Sequence, residues 1–200
     1  MNEKDIIKKV NDLSVNIRAI VSNSSASPRD VLARYTAAFA VNFTDWIGKT
    51  IPWVRHERAR FVLIDNLRCE MEDDHIDMLW KFSRSCGAQP DGKDYAWTFN
   101  SVAKIRTLFS QASLAGIHGL SLCTLLENVS REFIPDLATR ASDLGCANFM
   151  YTDAHGEADV KHGEALLVAL FEEMKMHPRN DTALSMASAY IESLMEVIYK

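Results

Sequence analysis

The stretch HGEADVKH, residues 155–162, places two histidines and an aspartate at helical spacing. At 3.6 residues per turn, positions i, i+4 and i+7 fall within an arc of roughly 60° on a helix. His155, Asp159 and His162 would therefore project from one side of a single helix, which we expect to cover about residues 155–176. Three such side chains can converge on one small volume.

These residue types are those of a metal site. Two imidazoles and a carboxylate supply the ligands of a non-heme Fe(II) centre, and neutral histidine with ionised aspartate is the state that binds metal. Zinc or manganese could use the same set. The alternative is a solvated helix face, because charged side chains lie in the same segment: Glu157, Lys161 and Glu164.

Helix-forming residues continue outward over nearly the whole chain, since only eight glycines and five prolines occur in 200 residues. The clearest helix start has Ser27 as the N-cap and Pro28 as the first helical residue. Its apolar face continues to Trp46, and Gly48 is the expected stop. We expect about seven helices in one domain over residues 1–200, an all-α bundle. The other six predicted helices cover about residues 57–70, 75–86, 99–113, 117–142, 155–176 and 182–199. The helix over residues 117–142 is expected to bend near Pro135.

Composition excludes several classes of protein. The net charge is −5 and the pI about 5.7, with no Lys/Arg run longer than a pair, so neither nucleic acid nor a membrane surface is an expected partner. The N-terminus lacks the apolar core of a signal peptide, and no stretch is apolar enough to span a bilayer, which favours a cytoplasmic protein. The four cysteines show no CxxC spacing, so neither a disulfide framework nor a zinc ribbon is expected.

Further acids and one histidine interrupt segments that should be apolar. Glu127 lies in an apolar helical stretch, where a buried carboxylate needs a partner or a metal; the alternative is an exposed face that continues to Arg131. Glu70 ends one predicted helix and His75 opens the next. The turn between them could fold both side chains toward the bundle.

Four motifs thus follow one another along about residues 35–170: Asn66-Leu67-x-x-Glu70, His75 followed by Leu79-Trp80, Leu126-Glu127, and His155-x-x-x-Asp159-x-x-His162. In order and residue type they resemble the ligand series of the heme-oxygenase-like di-iron oxidases and oxygenases. What the resemblance implies is a seven-helix bundle of the TenA and pyrroloquinoline-quinone-synthase type. It also implies two Fe(II) ions that activate O2 as co-substrate, held by six residues: Glu70, His75, Glu127, His155, Asp159 and His162.

The sequence departs from the family pattern at two places. The turn between Glu70 and His75 is shorter than usual, which leaves Glu72 as an alternative ligand. Members that sacrifice a lysine in aminobenzoate synthesis carry it about three turns after the second glutamate, and Leu137 stands there in this chain. Aminobenzoate synthesis is therefore not expected.

The resemblance further implies a small-molecule substrate. Related enzymes oxidise amines, amino acids or fatty acids by N-oxygenation, C–C cleavage or oxidative decarboxylation, commonly in biosynthetic pathways; an amino-acid-like or carboxylate substrate is our expectation. Arg58, Arg60 and Arg131 are candidates for binding its carboxylate, because a guanidinium can do so bidentately. A homodimer would be unsurprising for a bundle of this size.

Three other functions are compatible with these residues. A TenA-like cofactor-free hydrolase would need a nucleophilic cysteine beside an acid, and Cys123, one turn before the glutamate of its helix, is the candidate. A non-catalytic helical binding protein would leave the histidines incidental and the charges solvated. A ferritin-like di-metal protein would use the i, i+3 pairs Glu72–His75 and Asp159–His162.

Overall fold

The computed structural model describes residues 2–177 and 181–200, without the side chains of residues 156–160 and 181. In this part of the chain there are ten α-helices, two short 3₁₀ helices and no strand. The prediction of an all-α protein is confirmed, whereas the predicted number of seven helices is wrong. The α-helices are α1 Glu3–Ser22, α2 Pro28–Phe39, α3 Asn42–Thr50, α4 Glu57–Glu72, α5 His75–Ser85, α6 Gly92–Thr107, α7 Ala112–Val129, α8 Ile134–Asp143, α9 Met150–Lys175 and α10 Asp181–Tyr199.

One additional helix is α1, which the sequence pattern did not single out. Asn2 and Asp5 form a capping box, in which each side chain accepts a hydrogen bond from the other residue's backbone N–H. Apolar residues at helical spacing then make one buried face: Ile6, Val10, Leu13 and Ile17. The N-terminal segment therefore belongs to the core.

The other two additional helices arise where predicted helices divide. The first predicted helix breaks after Phe39 into α2 and α3, and α3 continues through Gly48 instead of stopping there. The helix predicted over residues 117–142 divides at a 3₁₀ helix, Ser130–Glu132. Pro135 then lies in the first turn of α8, where its missing N–H costs nothing, so it begins a helix and does not bend one.

The helix α7 lies at the centre of the bundle. Nearly all its side chains are buried, and it packs against α9, α10, α3 and α1. A Cβ on Gly116 would overlap the backbone carbonyl of Trp53, and one on Gly119 would overlap the Thr50 side chain. These two glycines therefore permit the close approach of α7 to α3 and the turn that follows it. None of the described helices is long and apolar enough to cross a membrane.

Four helices meet where the chain carries its acids and histidines. The helix α9 packs against α4, α5 and α7, and α4 also contacts α5. Only Asp73 and Asp74 separate α4 from α5, and Asp74 takes a left-handed conformation with φ of 55°. This tight turn places the last turn of α4 next to the first residue of α5.

Candidate metal centre

A buried cluster of one carboxylate and two imidazoles lies at the junction of α4, α5 and α9. One ligand atom from each of Glu70, His75 and His155 falls within 4.8 Å of the others. His75 Nδ1 is 3.0 Å from Glu70 Oε1, and His155 Nε2 is 4.0 Å from the same oxygen. The two imidazole rings are 4.6 Å apart, centre to centre. Their spacing is small enough for one metal ion to contact all three residues.

The backbone of α9 sets the orientation of His155. Its Nδ1 lies 2.8 Å from the carbonyl oxygen of Tyr151, one turn earlier, and must donate because a carbonyl can only accept. Nδ1 therefore carries a proton, and Nε2 is the ring nitrogen that faces the cluster. Metal-binding histidines are commonly held in this way by a second partner.

A second group lies across the site, on α7 and α9. Glu127 is buried, and its Oε1 is 3.9 Å from Nδ1 of His162. The same oxygen accepts a hydrogen bond of 2.7 Å from the side-chain amide of Asn66, which is fully buried one turn before Glu70 on α4. Among the described residues, His162 Nδ1 has no hydrogen-bond partner although it is shielded from solvent.

An inner cavity of about 50 Å³ is lined by residues of both the buried cluster and the second group. Glu70, His75, Glu127 and His155 form its polar part. The other walls are mainly aromatic and aliphatic: Tyr35, Phe39, Phe43, Leu79, Phe133 and Tyr151. The hydroxyls of Tyr35 and Tyr151 are 2.8 Å apart. The inner cavity is thus small and largely apolar.

An outer cleft of about 370 Å³ shares four wall residues with the inner cavity: Glu127, Ser130, Ile134 and His155. It is more polar, because Arg131, Thr152, Asp153 and Glu164 also line it. Glu127 and His155 therefore lie between a small, largely apolar space and a larger, more polar one.

Two of the predicted ligands need separate mention. The backbone of Asp159 is in α9, but its side chain is outside the described part of the structure. The side chain of Glu72 is 70% exposed and lies 3.9 Å from Arg68, so it is directed to solvent. Glu70 and not Glu72 is therefore the glutamate that lies in the buried cluster.

The three candidate arginines lie in different places. Arg58 and Arg60 are exposed and line neither space, and Arg60 donates to the carbonyl of Val54. Arg131 borders the outer cleft, with its Nε 3.4 Å from Glu132. Only Arg131 is therefore placed to meet a substrate near the cluster.

The structure weakens each of the three alternative functions. Cys123 is fully buried, lines neither space, and burial raises the pKa of its thiol well above the ordinary value, so it is a poor nucleophile. The exposure of Glu72 removes one of the two i, i+3 pairs of a ferritin-like site. His75 and His155 are buried, unlike histidines on a solvated face.

Some residues with clear structural roles carry weak signals in the sequence. Asn66 belongs to the first motif, but only its distance of one turn from Glu70 hints that it faces the site. Glu173 is fully buried and accepts hydrogen bonds from the N–H groups of Arg55 and His56, and nothing in the local sequence indicates this. His177 and His118, to which no metal role was assigned, are buried and contact Glu173 and a backbone carbonyl, respectively.

The donor set and its charge fit iron. Carboxylate oxygen and imidazole nitrogen are the ligands of non-heme Fe(II) centres. Two carboxylates, of Glu70 and Glu127, are buried around the inner cavity, and no lysine or arginine is among the described residues that line it. A bound cation would therefore balance their charge, which would otherwise be costly to bury.

Comparison with known proteins supports the same chemistry. Residues 31–194 match the model of a family described as iron-containing redox enzymes. The matched range includes every residue of both groups. No curated protein matches the chain.

Proposed function

The chain belongs to the family of iron-containing redox enzymes with a heme-oxygenase-like helical fold, and from that premise we propose that it is a non-heme di-iron oxygenase or oxidase. The observation that carries the proposal is the buried cluster of Glu70, His75 and His155, whose ligand atoms lie within 4.8 Å of one another. The proposed ligands of the two Fe(II) ions are Glu70, His75, Glu127, His155, Asp159 and His162. Iron bound there would supply the activation of O2 and the oxidation of substrate.

The protein contributes fixed ligand geometry. The Tyr151 carbonyl holds His155 in the tautomer that presents Nε2, and the Asn66 amide orients the Glu127 carboxylate. Partners of this kind keep ligands in place before the metal arrives. The aromatic walls of the inner cavity also give the proposed ligands a largely apolar surrounding.

The proposed substrate is a small amino-acid-, amine- or fatty-acid-like molecule of a biosynthetic pathway. Its apolar part would extend into the inner cavity, and a carboxylate would remain in the outer cleft, where Arg131 offers a guanidinium. N-oxygenation, C–C cleavage and oxidative decarboxylation are all compatible with this placement. The polarity of the two spaces supports a substrate with one apolar and one charged end.

The first test is an anaerobic Fe(II) titration of metal-free protein, followed by exposure to O2. We expect about two irons per chain and an O2-dependent transient in the visible spectrum. Glu70→Gln removes the charge of a clustered carboxylate, and Glu72→Gln makes the same change two residues away on the exposed side. Only Glu70→Gln should reduce the iron stoichiometry and abolish the transient.

Asp159→Ala extends the test to the proposed ligand whose side chain is not described. It should lose iron as Glu70→Gln does, while circular dichroism shows that the protein remains helical. Absence of iron binding above background in the wild type would overturn the proposal. Equal iron loss in Glu70→Gln and Glu72→Gln would contradict the ligand assignment.

A further inference from the structure

A second cluster of reactive side chains lies where the end of α5 meets the segment between α8 and α9. Cys86 caps α5 and is followed by Gly87, while Cys146 directly follows Gly145 at the end of α8. Both glycines have positive φ, 64° and 75°. Both helices end in the same motif, in which the backbone N–H two residues after the cap donates a hydrogen bond to a carbonyl oxygen in the last turn.

These two helix ends bring both thiols to the same hydroxyl group. The hydroxyl of Ser85 is 2.8 Å from Cys146 Sγ and 3.9 Å from Cys86 Sγ. Cys86 Sγ also lies 3.1 Å from the carbonyl of Phe82. The cysteines are 60 positions apart in the chain, so no spacing in the sequence indicates the pair.

The two thiols differ in chemistry. Burial raises the pKa of Cys86 to about 12, and its contact with Cys146 adds to this. Burial also acts to raise the pKa of Cys146, but its polar neighbours outweigh burial and lower the pKa below the ordinary value: Cys86, Ser85 and the backbone at Asn148 and Ala147. Cys146 is therefore the better nucleophile, with a protonated thiol beside it.

Both thiols are close to solvent although they are buried. The residues on either side of each cysteine are exposed: Ser85, Gly87, Gly145 and Ala147. A small movement of these turns would admit a small oxidant. By contrast, Cys123 is fully buried in the core, and Cys69 lies on α4 without a cysteine partner among the described contacts.

We propose that Cys86 and Cys146 form a redox-active pair that is oxidised by hydrogen peroxide to a disulfide joining the end of α5 to the segment before α9. The Cys146 thiolate attacks one peroxide oxygen, the O–O bond breaks, and hydroxide leaves, which gives a sulfenic acid. The Cys86 sulfur then attacks Cys146 Sγ, the S–O bond breaks, and the oxygen leaves as water with the Cys86 proton. The thiols lose two electrons and the peroxide gains them. The pair does not depend on the proposed iron chemistry.

The test uses native wild-type protein with iron removed by a chelator, so that metal-driven oxidation does not contribute. After brief treatment with hydrogen peroxide, free thiols are alkylated, and peptides are analysed by mass spectrometry. We expect a cross-linked peptide pair containing Cys86 and Cys146, loss of two of the four thiols, and full reversal by dithiothreitol. The melting temperature should rise by about 5 °C, because the bond closes a long loop.

Dimedone traps sulfenic acids, so its reaction with three serine variants shows which cysteine is oxidised first. Cys86→Ser should accumulate trapped Cys146, Cys146→Ser should give neither trapping nor the disulfide, and Cys69→Ser should behave as wild type. Failure of the wild type to form this cross-link, or its formation only in denaturant, would overturn the proposal. The assigned roles would be overturned if dimedone trapped Cys86 in the Cys146→Ser variant as fast as it traps Cys146 in the Cys86→Ser variant.

Discussion

Asn66 is the residue that links two helices of the candidate centre through one hydrogen bond. Its fully buried amide donates to Glu127, and a ligand held by such a partner typically binds metal 10–100-fold more tightly. We therefore expect Asn66→Ala to weaken Fe(II) or Co(II) binding by about that factor, measured by competition with a chromogenic chelator.

Asn42→Ala is the matched control for this prediction. Asn42 is also a buried asparagine with hydrogen bonds, to Ala38 and Arg106, but it contacts no carboxylate. It should lose stability with little change in metal affinity. Equal metal affinities of the two variants would show that Asn66 does not position Glu127.

Cys123 gives a prediction for alkaline pH. Burial holds its pKa in the folded protein well above the value of 9.0 for an unperturbed thiol. The unfolded chain therefore releases the thiol proton at a lower pH than the folded protein does. The contribution of the protonated thiol to the unfolding free energy is fully present below pH 9 and falls as the pH rises toward the folded pKa.

Between pH 8 and pH 10 the wild type should lose about 1 kcal/mol more unfolding free energy than Cys123→Ser. Urea denaturation at both pH values measures the difference. Cys86 and Tyr199 also have raised pKa values, but they are present in both proteins, so their contributions to the pH dependence of stability cancel in the comparison. An identical pH dependence of the two proteins would contradict the prediction.

The resemblance of the four motifs to the di-iron family predicted the acids and histidines that the structure brings together: Glu70, His75, Glu127, His155 and His162. Helical spacing by itself predicted only that His155 and His162 share a face of one helix. Spacing could not distinguish Glu70 from Glu72, since the answer depends on how the turn at Asp74 ends α4. The contact between Asn66 and Glu127 depends on packing of α4 against α7, which no local pattern encodes.

Among the elements, α4 and α9 form a pair that is fixed at both ends. At one end, Glu70 and His155 approach each other in the candidate centre. At the other, the buried carboxylate of Glu173 near the end of α9 accepts hydrogen bonds from the N–H groups of Arg55 and His56, just before α4. His56 gives α4 no side-chain cap, and Glu173 instead binds the backbone where the chain enters this helix.

Glu173→Gln should therefore destabilise the protein by about 2–3 kcal/mol, because hydrogen bonds to a buried charge are strong and their loss leaves donors poorly satisfied. Glu172→Gln makes the same change at a neighbour that pairs with Lys175 on the surface, and should reduce the stability far less. Urea unfolding at pH 7 measures both. Similar values for the two variants would contradict the structural role of Glu173.

At this scale the sequence predicted helical regions better than their ends. The spans of α4, α5 and α10 follow the predicted ones closely. In contrast, α6 begins at Gly92, several residues before the predicted start at about residue 99, because Asp91 and Asp94 form a capping box. The break between α2 and α3 has no strong stop signal, because helix-forming residues continue through it. Pro135 marks the region where α7 and α8 divide, but from the sequence alone it indicates a bend in one helix.

In the whole molecule, the candidate ligands come from four separate helices, α4, α5, α7 and α9. Metal that binds only the folded chain stabilises it by mass action, about 2.7 kcal/mol at a hundredfold excess over Kd. Anaerobic Fe(II) should therefore raise the melting temperature by about 5–10 °C. Thermal scans of wild type and Glu72→Gln should both show the rise, and Glu70→Gln should not. A rise of equal size in all three would indicate that the metal binds elsewhere.

The size of the inner cavity has a consequence for the rate at which ligands arrive. A space of about 50 Å³ holds only a few water molecules. A larger guest would fill this space only if side chains such as Phe43 moved, so we expect motion of the walls, and not encounter in solution, to limit its entry. Observed association rates should therefore level off at high ligand concentration. A binding screen that is measured after a few seconds would miss compounds that the same screen would detect after an hour.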